Sequence, residues 1–420
     1  MQEVSKLNHI KSLKCKKCGR EYLPIKTYVC EECFGPLEVA YNYNSIELNR
    51  KSFQNRPNTV WRYFELLPVQ DKTKIVDLGA GYTILHKCNR LAKALGLKKL
   101  YAKDDSVNPT YSFKDRPATV AASKALEFHA KAFGAASTGN LAAAVAAHAA
   151  KAGLSCYVFI PADIEPNKIV QASAYGAKIV AIKGTYDDAN RLAAQAAETY
   201  DWAFANINIR PYYVEGSKTL AFEVCEQLGW KTPDHVVVPI GSGALLCAIQ
   251  RGFNQFKKLN LIEDTKIRVS GAQPSGCAPV VNAFKNKSND VTPIEYPDTI
   301  AKSLAVGDPG SGLDAVETIR QSGGIAETAT DTEILDAIKL LAKTEGIFTE
   351  PAGGVTVAVL KKLVESGEIS PDEKVVCYVT GNGLKATEAI LHHIPEPVEI
   401  EPNLGSFAKT FNLEVKKWQK

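Results

Sequence analysis

The chain has 420 residues, of which 45% are hydrophobic and 23% are charged. These fractions match globular averages, so they exclude a disordered or fibrous protein, and the length allows two or three domains. The 50 basic and 46 acidic residues leave a formal net charge of only +4, too weak to indicate a nucleic-acid surface. No apolar run approaches the roughly 20 residues of a membrane helix, and the N-terminus lacks a signal-like apolar stretch. We therefore expect a cytoplasmic protein that binds neither membranes nor nucleic acid.

Four of the ten cysteines lie near the N-terminus in two Cys-x-x-Cys turns. The candidate metal ligands are Cys15, Cys18, Cys30 and Cys33. Each turn aims two thiolates at one point, and four thiolates form the ligand set that tetrahedral zinc prefers. Because four thiolates leave no position for water, the predicted zinc is structural. The other six cysteines are scattered through apolar segments, which is typical of reduced core thiols. Residues 1–42 are predicted to form a zinc-ribbon module.

From residue 99 onward, strand-like apolar runs alternate with helical patterns, which is typical of a parallel α/β sheet. The predicted strands are 100–102, 156–160, 179–182, 236–240, 267–272 and 375–379. The predicted helices are 117–133, 141–152, 187–199, 215–228, one from the 241–245 loop to residue 259, 332–343 and 355–366.

Four loops in this region carry residues suited to binding anions and to nucleophilic chemistry. Lys114 lies just before a helix that Pro117 opens, and the positive end of that helix favours a neutral, nucleophilic amine. Hydroxyls and free amides at 137–140, before another helix, suit a carboxylate. The glycine-rich loop at 241–245 follows a strand and opens a helix, as a phosphate-binding loop does. The loop at 380–385 also follows a strand, at the sheet edge where ligands collect.

A further glycine-rich segment at residues 75–83 resembles the opening of a nucleotide or methyl-donor site. Thr83 stands where a third small residue is needed, and no capped helix follows. We interpret it as a tight loop beside another site.

Together, these segments resemble the fold-type II pyridoxal-phosphate enzymes and, within them, the threonine synthases. The matching motifs are Pro-Thr-x-Ser-Phe-Lys-Asp-Arg at 109–116, the loops at 137–140 and 241–245, Glu-Gly-Ser-Lys-Thr at 215–219, Thr-Gly-Asn-Gly-Leu-Lys at 380–385 and Gly-Tyr-Thr at 81–83. The resemblance implies an α/β fold of the tryptophan synthase beta type, with two open parallel-sheet domains after the zinc ribbon. It places the catalytic region at 43–400, with a smaller subdomain at about 125–215 inserted in a larger one, and a C-terminal tail at 401–420.

The resemblance also implies roles for individual residues. Lys114 would carry the cofactor pyridoxal 5'-phosphate and move protons. Phe113 would pack against the cofactor ring, Asn140 would bond its ring oxygen, and Thr380 would face its ring nitrogen. The residues implied to hold the cofactor phosphate are Gly241, Ser242, Gly243, Ala244 and Leu245. The residues implied to contact the amino-acid end of the substrate are Ser137, Thr138 and Asn140.

The implied activity is that of a carbon–oxygen lyase, which converts O-phospho-L-homoserine and water to L-threonine and phosphate by γ-elimination and β-hydration. Many family members place an arginine two residues before the helix-opening glutamate, but Tyr213 stands there in this chain. Arg210, Ser217 and Lys218 are the candidates for binding the substrate phosphate instead. Tyr111 also departs from the family pattern, which has glycine at this position. Homodimers are common in the family, so the expectation of a homodimer rests on the resemblance alone.

Alternative functions stay open from the sequence. A serine/threonine dehydratase or a synthase using O-phosphoserine would use the same lysine and loops, and would differ only at the substrate end. A zinc-dependent nucleic-acid binder would use the ribbon, with the α/β region as a scaffold. Glu31 and Glu32 lie within the ribbon and no aromatic-basic interleaving follows it, which disfavours the binder.

Overall fold

The computed structural model of the protein describes residues 9–163 and 168–413. Of these, the residues up to Ala386 form one compact unit and those from Thr387 form a second. Residues 1–8 of the predicted ribbon module and 414–420 of the predicted tail lie outside the described residues. Within the described part, no helix is both long and apolar enough to cross a membrane.

Strands and helices alternate through most of the chain. In chain order the strands are β1 (Ile10–Cys15), β2 (Glu21–Tyr22), β3 (Leu37–Tyr41), β4 (Leu85–Lys87), β5 (Lys99–Asp104), β6 (Ala132–Ala136), β7 (Ser155–Pro161), β8 (Lys178–Ile182), β9 (Ala203–Phe204), β10 (His235–Pro239), β11 (Arg268–Pro274), β12 (Ala326–Ala329) and β13 (Lys374–Val379). The helices are α1 (Asn89–Leu95), α2 (Asp115–Glu127), α3 (Asn140–Ala152), α4 (Val170–Ala174), α5 (Tyr186–Thr199), α6 (Arg210–Tyr213), α7 (Thr219–Gln227), α8 (Ala244–Lys258), α9 (Pro279–Lys285), α10 (Gly312–Ser322), α11 (Asp331–Glu345), α12 (Pro351–Glu365) and α13 (Leu404–Thr410).

A small antiparallel sheet of order β2-β1-β3 precedes the α/β region. Leu13 lies at its centre, paired with Tyr22 on one side and Val39 on the other. The first Cys-x-x-Cys turn follows β1 and the second lies between β2 and β3, so both turns meet at one end of the sheet. This sheet is the body of the predicted ribbon.

The larger α/β sheet has the order β12-β11-β10-β13-β5-β4. Its strands run parallel except β4, which is antiparallel to β5. The central strands β10 and β13 are rich in valine and almost completely buried, as expected for strands covered on both faces. This sheet and the second parallel sheet described next confirm the predicted fold class.

The second parallel sheet has the order β8-β7-β6-β9. The helix predicted over 117–133 is wrong at its end, because α2 stops at Glu127 and Ala132–Ala136 form β6. Alanine and glycine have low strand propensity, so this segment carries no strand pattern. Tertiary packing decides its structure, because a side chain at Gly134 would lie 2.3 Å from the Tyr157 carbonyl oxygen of the neighbouring strand. All four strands fall inside the range predicted for the smaller subdomain.

A buried ion-pair cluster anchors the first turn of α2. The Arg116 guanidinium donates to both Asp105 carboxylate oxygens, at 2.6 and 2.8 Å, and forms two hydrogen bonds with the Glu223 carboxylate. Lys103 Nζ lies 2.6 Å from Glu223, and all four side chains are buried. The cluster therefore joins α2 to the end of β5 and to α7.

We predict that Arg116→Met lowers the free energy of unfolding by about 3–5 kcal/mol, because it leaves two buried carboxylates to share one lysine. Urea unfolding followed by circular dichroism measures the effect. Arg191, an exposed arginine on α5 that pairs with Asp188, provides the control. Arg191→Met should change the stability by no more than about 0.5 kcal/mol. Equal stability of the two variants would contradict a structural role for the cluster.

Candidate active site

Lys114 lies immediately before α2, with its side chain half-buried. Its ammonium group lies 4.7 Å from the centre of the Phe113 ring and 6.0 Å from that of Tyr213. Among the described residues, it makes no hydrogen bond and no ion pair. Burial lowers the pKa of Lys114 to about 8, although the Glu350 carboxylate opposes this effect. The amine is therefore neutral, and able to act as a nucleophile, for a substantial fraction of the time just above neutral pH.

The loop that carries Lys114 pairs with the loop that follows β13. Ser112 and Gly381 form an isolated antiparallel bridge, and the Phe113 amide donates to the Thr380 carbonyl at 2.9 Å. Tyr111 has a φ of +67°, in the left-handed region that favours glycine, which is the residue that the family resemblance places here. The backbone thus brings Lys114 and Thr380 together, as predicted from the motifs.

The predicted phosphate loop connects β10 to α8. Gly243 has a φ of +87°, and a Cβ there would lie 2.5 Å from the Ser311 carbonyl oxygen, so only glycine fits. The Ser311 amide donates to the Ser242 carbonyl at 2.9 Å. The amides of residues 242–245 donate to no acceptor within the described residues. Free amides at the N-terminus of a 15-residue helix suit a phosphate.

The loop at 137–140 connects β6 to α3. The amides of residues 138–140 likewise have no acceptor in the described part of the chain, which suits a carboxylate. The Asn140 side-chain amide donates to Glu350 Oε2 at 2.8 Å.

Glu350 is a member of the site that the sequence interpretation did not identify. It lies just before Pro351, which opens α12, and only 5% of its surface is exposed. The Glu-Pro dipeptide at a helix start was the available signal, but an acid there is also typical of an ordinary helix N-terminus.

The three candidates for the substrate phosphate occupy different surroundings. Arg210, in α6, donates to Ser311 Oγ at 3.3 Å, and Ser311 in turn bonds the 241–245 loop. The Lys218 ammonium is buried, and its three N–H groups have three oxygen partners. These are Leu66 O at 3.1 Å, Gln255 Oε1 at 2.9 Å and Glu215 Oε2 at 2.5 Å. Ser217 is buried in the 3-10 helix Val214–Lys218. The structure therefore brings Arg210 to the site, but not the Lys218 ammonium.

In the glycine-rich loop at 75–83, backbone amides donate hydrogen bonds to side chains of the protein. The Gly81 amide donates to Asn108 Oδ1, and the amides of Tyr82 and Thr83 donate to Glu223. The strand β4 follows instead of a helix. The loop has the tight packing that the sequence interpretation favoured, and a strand in place of a helix disfavours a nucleotide or methyl-donor site.

The four ribbon cysteines converge. Cys15 Sγ and Cys33 Sγ lie 3.4 Å apart, Cys18 Sγ and Cys30 Sγ lie 3.6 Å apart, and all four sulfurs lie within 4.8 Å of one another. Sulfurs at about 2.3 Å from a tetrahedral zinc lie about 3.8 Å apart, so this geometry fits a zinc ion.

The ribbon packs against the segment that carries Arg210 and Tyr213. Tyr212 Oη donates to Ile25 O at 2.9 Å, and Tyr41 Oη donates to Glu215 Oε2 at 2.7 Å. These contacts reach α6 and the 3-10 helix after it, so the ribbon supports one wall of the site.

The site fits a phosphorylated aldehyde such as pyridoxal phosphate. Within the described residues the Lys114 amine has no hydrogen-bond partner and the amides of residues 242–245 have no acceptor, while the Phe113 ring lies beside the amine. The Tyr213 hydroxyl is buried and has no hydrogen-bond partner within the described residues, as expected of a group that faces a ligand.

Comparisons with known proteins agree with this chemistry. A family model described as pyridoxal-phosphate dependent enzyme matches residues 76–381. The chain is 43% identical to the threonine synthase of Methanocaldococcus jannaschii over 396 residues, which cover 93% of this chain and 97% of that one. It is 42% identical to the threonine synthase of Methanosarcina acetivorans, covering 94% of this chain and 97% of that one.

Solved structures share the fold. The processed threonine deaminase isoform 2 of Solanum lycopersicum aligns with a TM-score of 0.61 at 23% identity, covering 73% of this chain and 82% of that one. An L-serine ammonia-lyase from Rhizomucor miehei aligns with a TM-score of 0.63 at 18% identity, covering 74% of this chain and 98% of that one. At such identities the likeness concerns the fold alone. The family resemblance drawn from the motifs is confirmed by the sequence relatives: the chain belongs to the threonine synthase family of pyridoxal-phosphate-dependent enzymes.

Proposed function

We propose that this protein converts O-phospho-L-homoserine and water to L-threonine and phosphate. The observation that carries the proposal is the Lys114 amine, which has no hydrogen-bond partner within the described residues and lies 6.0 Å from the ring of Tyr213, on the helix that also carries Arg210. A phosphorylated amino acid needs a site for its carboxylate, a nucleophilic amine and a cation for its phosphate. Residues 138–140, Lys114 and Arg210 are the candidates for these three roles.

Lys114, Phe113, Asn140, Thr380 and the amides of the 241–245 loop would hold pyridoxal phosphate. When bound, the cofactor supplies an electron sink that stabilises negative charge at the α carbon of an amino acid. Thr380 offers a neutral hydroxyl instead of a carboxylate at its end of the site, which moderates that sink.

The other steps use the residues of this chain. The free amides of residues 138–140, with the Ser137 and Thr138 hydroxyls, would bind the substrate carboxylate. Arg210 would bind the substrate phosphate. Lys114 in its neutral form would accept a proton from a substrate carbon and later return it, since its pKa of about 8 allows both protonation states near neutral pH.

The substrate assignment is tested by offering O-phospho-L-homoserine, O-phospho-L-serine, L-serine and L-threonine separately to the enzyme and measuring phosphate, ammonia and threonine. We predict equal amounts of phosphate and threonine from O-phospho-L-homoserine alone. A keto acid and ammonia from serine or threonine, with no threonine from the phosphorylated substrate, would indicate a dehydratase instead. Phosphate release from O-phospho-L-serine alone would indicate the other synthase.

We predict that Arg210→Ala raises KM for O-phospho-L-homoserine about 10- to 100-fold, because one charge-assisted contact with the phosphate is lost. Inhibition by inorganic phosphate should weaken in parallel. Steady-state kinetics measure both, and Arg90→Ala, at an exposed arginine on α1, is the control. If Arg210→Ala leaves KM and phosphate inhibition unchanged, Arg210 does not bind the phosphate.

We also propose that Cys15, Cys18, Cys30 and Cys33 hold one structural zinc ion, supported by their sulfur separations. All four positions would be filled by thiolates, so no site for water or substrate remains on the metal. Because the ribbon contacts α6, the metal would act on catalysis only through the shape of the site.

We predict one zinc per chain in protein purified without chelator, and loss of that zinc in the double variant Cys15→Ser/Cys30→Ser. Elemental analysis measures the content. Cys277→Ser removes a buried thiol outside the cluster and should keep the zinc. Metal-free wild-type protein, or full zinc content in the double variant, would refute the assignment.

A cytoplasmic location and a homodimer remain expectations of this proposal. The location is supported by the ten cysteines, none of which forms a disulfide within the described residues. Reduced thiols suit a reducing compartment.

A further inference from the structure

Glu350 occupies a position where three parts of the site meet. Its Oε2 accepts the hydrogen bond from the Asn140 side chain at 2.8 Å, and its amide donates to the Gly381 carbonyl at 3.0 Å. Gly381 leaves the space for this carboxylate, because a Cβ there would lie 2.4 Å from Glu350 Oε1. Both carboxylate oxygens are thus enclosed between the Asn140 loop and the loop that pairs with the Lys114 segment.

Three lysines interact electrostatically with this carboxylate. Lys114, Lys168 and Lys385 each stabilise its charged form, while burial, the largest effect, raises the pKa of Glu350. Lys385 is itself held by the Thr110 carbonyl at 2.9 Å and by Gln171 Oε1 at 2.6 Å, and it lies near Asp115. Burial raises the pKa of Asp115 to about 7. Unlike the ammonium group of Lys385, that of Lys114 makes no hydrogen bond within the described residues.

We propose that Glu350 is a positioning residue of this site, which holds the Asn140 amide in place and controls the charge on the Lys114 amine. Only the role of Glu350 in catalysis rests on the proposed function.

The two tasks follow from different properties of the carboxylate. Its hydrogen bond fixes one N–H of Asn140, which orients the rest of that amide at the start of α3. Its negative charge favours the ammonium form of Lys114, so the amine keeps a pKa near 8 instead of falling further through burial. A glutamine at position 350 would retain an acceptor for Asn140 but lose the charge, so the two tasks are separable.

The test measures how fast the Lys114 amine reacts with a trace amount of acetic anhydride between pH 6 and pH 10. The full-length protein is used after removal of the cofactor, and the peptide that contains Lys114 is quantified by mass spectrometry. The midpoint of the pH profile should lie near 8 in the wild type. In Glu350→Gln it should fall by about one pH unit, because a nearby opposite charge is lost. Glu350→Asp keeps the charge and should stay closer to the wild type.

Glu365→Gln is the matched control, since Glu365 is the exposed acid at the other end of α12. It should leave the midpoint unchanged. A midpoint in Glu350→Gln that equals the wild-type value, or lies above it, would overturn the proposal. Should Glu350→Gln fail to fold, Glu350→Ala removes the same charge: the Lys114 midpoint should again fall by about one pH unit, and an unchanged midpoint would overturn the proposal.

Cofactor binding tests whether Glu350 orients Asn140. Glu350→Ala should raise the half-saturation concentration for pyridoxal phosphate several-fold more than Glu350→Gln does. Only alanine leaves the Asn140 side chain without its hydrogen-bond acceptor. Equal weakening in the two variants would remove the orienting role. Neither measurement uses the amino-acid substrate, so a wrong substrate assignment would leave both results standing.

Discussion

The central constraint in this protein is a half-buried lysine amine that has no partner among the described residues. Burial without a partner disfavours the ammonium form, which is why the pKa of Lys114 falls to about 8. Two residues further on, Arg116 shows the opposite arrangement, with its guanidinium fully paired to Asp105 and Glu223. The paired cation anchors the start of α2, and the anchored helix keeps Lys114 next to the loop that follows β13.

The parallel sheets determine where the loops of the candidate site lie. The loops at 137–140, 241–245 and 380–385 all follow the carboxyl ends of strands, where ligands collect in such folds. The smaller sheet contributes the first loop and the larger sheet the other two. The helix α6 then joins the parts, because Tyr213 lies beside Lys114 while Arg210 reaches Ser311 near the 241–245 loop.

Most of this arrangement was predictable from the sequence, and the exceptions have physical causes. The reactive lysine, the glycine-rich loop and the paired cysteines carry local signals, since each chemistry demands particular residues at fixed spacing. The strand β6 has no such signal in its own sequence. Its extended backbone depends on pairing with the neighbouring strands β7 and β9. Lys218 and Arg210 are equivalent in sequence as cations near a helix start. Only tertiary contacts separate the buried, fully bonded lysine from the arginine beside the phosphate loop.

The most direct test of this account is the identity of the lysine that carries the cofactor. The protein is incubated with pyridoxal phosphate, reduced with borohydride, digested and mapped by mass spectrometry. We predict one reduced adduct, on Lys114, because its amine has a lowered pKa and makes no hydrogen bond within the described residues. An adduct on Lys385, or on any other lysine with Lys114 unmodified, would contradict the account.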